Sequence, residues 1–321
     1  MPPIVTLTRR LPAAVEDLLA ERYELRPNVT DERLDRASLV AALASSEALV
    51  TTLGDRVDRD VLFAGPVRAR IIAHFGAGYD NIDISAARDL RLVVTNTPGV
   101  LTHDTADLTM LLLLATARRS SEGERELRAG AWTGWRPTHL LGTRLSGKTL
   151  GLVGFGHIAR AVASRARDGF GMRVLAWSRS LAEASAREAG VERRATLETL
   201  LGESDFVSLH VPSTPETRHL LDADRLAAML PHSFLINTSR GDVVDERALV
   251  DLLERRAIAG AGLDVFEDEP HFTSGLLAVP SVVLLPHIGS ATLESRTAMG
   301  RLVAANLDAF FAGRAPPNRV A

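Results

Sequence analysis

Cysteine is absent from the 321-residue chain, which excludes disulfides, thiolate metal sites and cysteine nucleophiles. Lysine is almost absent. Lys148 stands alone among 37 basic side chains, so Schiff-base chemistry has one candidate, in the polar turn Ser146-Gly147-Lys148. No apolar run approaches the roughly 20 residues needed to cross a bilayer, and Met110–Ala115 reads as part of a buried helix. The opening MPPIVTLTRRLP lacks the apolar stretch of a secretory signal. A formal net charge of -3, with no basic patch or tail, argues against nucleic acid as the main partner. Internal repeats and low-complexity tracts are missing, and the histidines His74, His103, His139 and His271 show no metal-ligand spacing. The expectation is a cytoplasmic protein with no membrane or nucleic-acid partner and no metal site.

What is present is alternation. The apolar share of 46% and the charged share of 24% are those of an ordinary globular chain, and the length suggests two domains. Ile4–Leu7, Ala48–Val50, Ile71–Ala73 and Leu92–Val94 read as strands, separated by stretches of helical period such as Ala13–Arg22. From Thr149 the pattern restarts more strongly with GLVGFG, RVLAW, DFVSLHV, SFLINTS, GAGLDVF and SVVLLPH. Strands that are apolar throughout fit a parallel sheet covered by helices on both faces. The spacing therefore predicts an α/β chain of two doubly wound units. One unit combines residues 1–99 with 291–321, since the tail TLESRTAMGRLVAANLDAFFAG is helical and carries no strand of its own. The other covers residues 100–290 and opens with a helix over Thr105–Arg118. The segment Ser120–Ser146, with two tryptophans and weak periodicity, reads as an extended arm and a dimer contact.

Gly154-Phe155-Gly156-His157-Ile158-Ala159 fits G-x-G-x-x-G/A, preceded by the strand Leu150–Val153 and followed by a helix to about Asp168. Taken alone, such a match is equally a structural turn. In this context it predicts a dinucleotide site: a tight turn, close backbone approach to pyrophosphate, and a helix N-terminus facing the anion.

The resemblance is to the D-isomer-specific 2-hydroxyacid dehydrogenase family, and within it to glyoxylate/hydroxypyruvate reductases. It rests on FGAGYDNID, NTPGVLTHDTADL, the glycine turn, SDFVSLHVPSTPET, LINTSRGDVVDE, GAGLDVFEDEP and LLPHIGSAT, all in family order over nearly the whole chain. It implies a Rossmann NAD(P)-binding domain inserted in a flavodoxin-like substrate domain. It also implies reduction of a small 2-oxo acid, glyoxylate or hydroxypyruvate, to the 2-hydroxy acid, D-specific where chiral, in a likewise implied homodimer. 3-Phosphoglycerate dehydrogenase is the enzyme alternative, although it would favour an acid at position 178. A nucleotide-sensing corepressor of the same fold is the alternative outside enzymes. Formate dehydrogenases carry glutamine where Glu269 stands.

Three residues match the family's catalytic positions: Arg240 in NTSRG, Glu269 in EDEP and His287 in LPHIG. Reduction of a 2-oxo acid builds negative charge on the carbonyl oxygen, which a histidine can protonate near neutral pH. A carboxylate beside it would keep the imidazole charged and oriented, and a guanidinium would hold the carboxylate and polarise the carbonyl. Singly, each has a plainer reading: a structural histidine, a solvated corner, an arginine capping a strand.

The small residues of Gly76, Ala77 and Gly78 let backbone amides approach an anion. The resemblance makes them the grip on the substrate carboxylate, with Leu53, Trp135 and Arg296 lining the pocket, Trp135 from the partner's arm. For the cofactor it adds Thr105, His210, Pro212, Thr217, Thr238, Asp264 and Gly289 to the glycine turn, with Asp264 on the nicotinamide carboxamide. At the end of the second strand, where NAD-binding relatives place an acid on the ribose, stand Ser178, Arg179 and Ser180. Serine can donate to a 2′-phosphate and arginine can pair with it, so the expected cofactor is NADPH, with NADH possible. The plainer reading of Arg179 is one more solvated arginine.

Overall fold

The predicted alternation builds two parallel sheets, one in each of two compact units. A computed structural model describes all 321 residues; one unit comprises Met1–Leu101 with Ser290–Ala321, the other Thr102–Gly289.

The first unit holds β1 (Ile4–Leu7), β2 (Glu24–Arg26), β3 (Ala48–Thr51), β4 (Ile71–His74) and β5 (Val93–Thr95), in spatial order β2-β1-β3-β4-β5. That is the flavodoxin-like order. Successive residues face opposite sides, so Ala48 and Val50 join one core with Val15, Leu19, Val303 and Leu307, while Leu49 joins the other with Leu39, Leu43 and Leu62. The helix Leu293–Phe311 lies against the helix Ala13–Ala20, and a Cβ at Gly300 would collide with Val15.

The second unit holds β6 (Thr149–Val153), β7 (Arg173–Trp177), β8 (Glu192–Arg193), β9 (Phe206–Leu209), β10 (Phe234–Asn237), β11 (Gly260–Leu263) and β12 (Val282–Leu284). Their order, β12-β11-β10-β9-β6-β7-β8, is that of a dinucleotide-binding sheet extended by one strand. The helix Thr102–Ala117 covers one face through Leu112 and Leu113, and Gly262 lets Thr116 approach the sheet. Phe206 and Phe234 stack across β9 and β10 with centroids 5.0 Å apart.

Four elements differ from expectation. β2 and β8 were not visible in the apolar pattern, because both are edge strands of charged residues, ELR and ER. Charged edges discourage pairing with other chains and remove the hydrophobic signal at the same time. The segment read as an extended arm opens with a helix, Ser120–Arg128. None of its residues is buried. Local pairs, Arg119–Glu122 at 2.8 Å and Arg128–Glu124 at 2.7 Å, support it in place of an apolar stripe. The helix after the glycine turn ends at Ser164 and continues as a wider π turn, Arg165–Gly169. No helix is long and apolar enough to cross a membrane.

Candidate active site

Between β6 and the helix His157–Ser164, the glycine turn takes a shape that its residue types require. Gly154 has φ +92°, and a Cβ there would lie 2.5 Å from the carbonyl oxygen of His210. Its amide donates to Trp177 at 2.8 Å, tying the turn to β7. A Cβ on Gly156, by contrast, would meet nothing within 4 Å. The helix that starts there has no side-chain cap, so no capping side chain satisfies its first amides. Ala159 is fully buried, which brings helix and sheet close. An uncapped helix N-terminus behind an open glycine is what a pyrophosphate needs, so the residues present fit a dinucleotide. His157 and Ile158 begin this helix, and His157 is exposed.

At the end of β7, Ser178 accepts from the amide of Ser180 at 3.4 Å, which shapes the turn around Arg179. Arg179 is exposed and makes no hydrogen bond or salt bridge to a protein group. Its charge contributes to lowering Glu216, after the hydrogen bond from Thr214 and that from the Glu216 backbone.

Arg240, Glu269 and His287 follow the carboxyl ends of β10, β11 and β12, the edge where open α/β sheets bind ligands. His287 Nδ1 and Glu269 Oε2 are 2.7 Å apart. The carboxylate therefore accepts a hydrogen bond from Nδ1–H, and Nε2 is left facing away from it, without a protein partner. Burial would raise Glu269, but the His287 hydrogen bond, the His287 charge, the Phe266 amide at 3.0 Å and the Arg240 charge together hold it below the usual carboxylate range.

His287 lies in the left-handed region, φ +54°, and a set of buried contacts holds it there. Its amide donates to the Asp264 carbonyl at 2.8 Å, and the next two amides, Ile288 and Gly289, each donate to one Asp264 carboxylate oxygen at 2.8 Å. Asp264 is 1% exposed, and its burial pushes its pKa up against the pull of these amides. Asn237, at the end of β10, donates to the Arg240 carbonyl at 2.8 Å and accepts from the Ser239 amide and hydroxyl. A Cβ on Gly241 would collide with the Phe266 backbone, so the NTSRG turn packs directly on the loop that carries Glu269.

A match to the family model "D-isomer specific 2-hydroxyacid dehydrogenase, NAD binding domain" covers residues 110–289. The chain is 48% identical to the glyoxylate reductase of Thermococcus litoralis, over 100% of this chain and 97% of that one. It is 46% identical to the glyoxylate reductase of Pyrococcus furiosus, over 100% and 96%. Among solved structures it is similar to the NADPH-dependent glyoxylate/hydroxypyruvate reductase of Sinorhizobium meliloti in complex with NADP and malonate. There the TM-score is 0.88 at 37% identity, covering 100% of this chain and 97% of that one. The chain belongs to the D-isomer-specific 2-hydroxyacid dehydrogenase family.

Within that family frame, the remaining residues read from the sequence fall into two groups. His210 lies beside the glycine turn, its ring 2.9 Å from Ser208 Oγ, and desolvation pushes it down to about 3, so it is neutral. Thr217 donates to the Pro212 carbonyl at 2.6 Å and accepts from the Thr214 amide, which shapes the 212–217 loop. Thr105 donates to the Gly289 carbonyl at 3.1 Å, and Thr238 shares a 2.9 Å hydrogen bond with Thr109, both in buried positions. In the other unit, Gly76, Ala77 and Gly78 follow β4, Leu53 lies in the 52–55 turn, and the Arg296 guanidinium is 5.9 Å from the Phe75 ring centroid. Trp135 is 82% exposed.

Two positioning residues were missed in the sequence. Glu246 is buried and accepts from the amides of Glu267, at 3.1 Å, and Thr273, which holds both feet of the Glu269 loop. Asn237 is the other. Their signals are slight: an asparagine closing the apolar run FLIN, and an acid at the first turn of the helix Glu246–Glu254 that reads as ordinary capping.

Proposed function

We propose that this protein reduces a small 2-oxo acid, glyoxylate or hydroxypyruvate, to the 2-hydroxy acid, with NADPH as the preferred reductant. The observation that carries the reading is the 2.7 Å His287–Glu269 pair, on adjacent strand ends with Arg240 in a dinucleotide-binding sheet. A bound reduced nicotinamide supplies the hydride to the carbonyl carbon. Arg240 holds the substrate carboxylate and polarises the carbonyl, because a guanidinium can donate to both at once. His287 Nε2 gives its proton to the carbonyl oxygen as charge develops there, while Glu269 stabilises the imidazolium through Nδ1. The amides of Ala77 and Gly78 also bind the carboxylate.

Two features support NADPH over NADH. Serine stands where an acid would repel a 2′-phosphate, and Arg179 makes no hydrogen bond or salt bridge that would compete for its guanidinium. Relatives named glyoxylate reductase support the substrate class. The test is a panel of 2-oxo acids assayed with both cofactors by nicotinamide absorbance. The expected result is turnover of glyoxylate and hydroxypyruvate, with the higher kcat/KM for NADPH. His287→Ala should lose about 10²–10⁴-fold in rate with cofactor binding intact. A clear NADH preference would sink the cofactor assignment, and normal turnover by His287→Ala would sink the proton donor.

A further inference from the structure

The helix behind the glycine turn, with the π turn that continues it, carries Arg160, Arg165 and Arg167, and two of the three are paired. Arg165 meets Asp107 at 2.6 Å, and Arg167 meets Asp168 at 2.7 Å. Arg160 is exposed, and its side chain makes neither a hydrogen bond nor an ion pair. Its guanidinium lies instead over the ring of Phe155, with Cζ 4.7 Å from the centroid. Contact with a ring face fixes a cation without using its N–H donors.

Backbone geometry places this side chain at the turn. The Arg160 amide donates to the Gly156 carbonyl at 3.0 Å, so residue 160 stands one helical turn on from Gly156, on the same face. Helical side chains lean toward the helix N-terminus. Arg160 therefore leans back toward Gly156, the second glycine of the fingerprint, where a bare backbone lets a pyrophosphate approach. The electrostatics agree. A helix N-terminus carries about half a positive charge, which favours anions and disfavours cations. This helix has no acid in its first turn and no side-chain cap. A cation and a positive helix end are thus set together without a protein carboxylate to neutralise either, and a bound diphosphate would neutralise both.

We infer that Arg160 is a further cofactor-binding residue, one that donates to the pyrophosphate received by the glycine turn. The inference rests on the dinucleotide site of the proposed reductase but not on its choice of cofactor, since NADPH and NADH carry the same pyrophosphate. Arg160 then sets affinity for either cofactor, and Arg179 discriminates between them.

The test is calorimetric titration of NADPH and NADH into the unaltered protein, Arg160→Gln, Arg160→Met and Arg179→Gln. Arg160→Gln should raise Kd about tenfold or more for both cofactors, as expected for a lost hydrogen bond to a charged group, and leave their ratio unchanged. Arg179→Gln should raise Kd for NADPH alone. Arg160→Met still covers the Phe155 ring but carries no charge, so it should bind as weakly as Arg160→Gln. Unchanged Kd in Arg160→Gln, a loss confined to NADPH, or full affinity in Arg160→Met would each overturn the inference and leave the dinucleotide site in place. If the unaltered protein binds neither cofactor, the site itself falls, and the inference with it.

Discussion

His287 occupies a backbone region that costs a non-glycine residue on the order of 1–3 kcal/mol, and three hydrogen bonds to Asp264 hold it there. Its imidazole is oriented by a carboxylate that stays ionised below the ordinary carboxylate range, because the His287 bond and charge, the Phe266 amide and the Arg240 charge together outweigh burial. Because Glu269 is held below that range, it stays ionised as the pH falls through it, so the acid limb of kcat/KM that reports this carboxylate should lie below the ordinary carboxylate range. Glu269→Gln, which removes the charge, should lower kcat/KM for reduction by about 10²–10⁴-fold and abolish that limb. A limb that persists unchanged in Glu269→Gln would mean that Glu269 is not the group it reports.

Helices in this protein carry glycine for opposite reasons, and one substitution separates them. In the helix Leu197–Glu203, a Cβ at Gly202 would meet nothing within 4 Å. Gly202→Ala should stabilise by about 0.4–1 kcal/mol, through helix propensity and a less free unfolded chain. In the helix Leu293–Phe311, Gly300 faces the branched side chain of Val15, anchored in the neighbouring helix. Overpacking there costs about 1–3 kcal/mol, which exceeds the propensity gain of about 1 kcal/mol. Gly300→Ala should therefore lower the thermal midpoint while Gly202→Ala raises it. Scanning calorimetry of the two variants checks both signs, and a rise for Gly300→Ala would contradict the close packing of the two helices.

For the whole molecule, the segment 120–146 sets the expectation of assembly. Leu127, Trp132, Trp135 and Leu141 are 61%, 51%, 82% and 66% exposed. Exposed apolar side chains on one segment are what a dimer contact through this arm would bury. The expected solution state is a homodimer, and light scattering after size exclusion should give twice the 34.6 kDa chain mass. Trp132→Glu combined with Leu141→Glu should shift it to one chain mass, since burying two carboxylates in an apolar contact is costly. A monomeric unaltered protein would rule out this arm as a dimer contact.

The apolar strands, the glycine turn and the Arg240, Glu269 and His287 motifs were legible in the sequence, because burial on both faces and backbone approach to an anion each demand particular residue types. The charged edge strands β2 and β8 and the helix Ser120–Arg128 were not, since edge pairing and local ion pairs leave no apolar signature. Nor were Glu246 and Asn237, whose partners are backbone amides and carbonyls. A backbone group has no letter in a sequence. Which loop Glu246 holds, and whether a helical glycine faces Val15 or open space, are set by distances between segments far apart in the chain, and those exist only once it has folded.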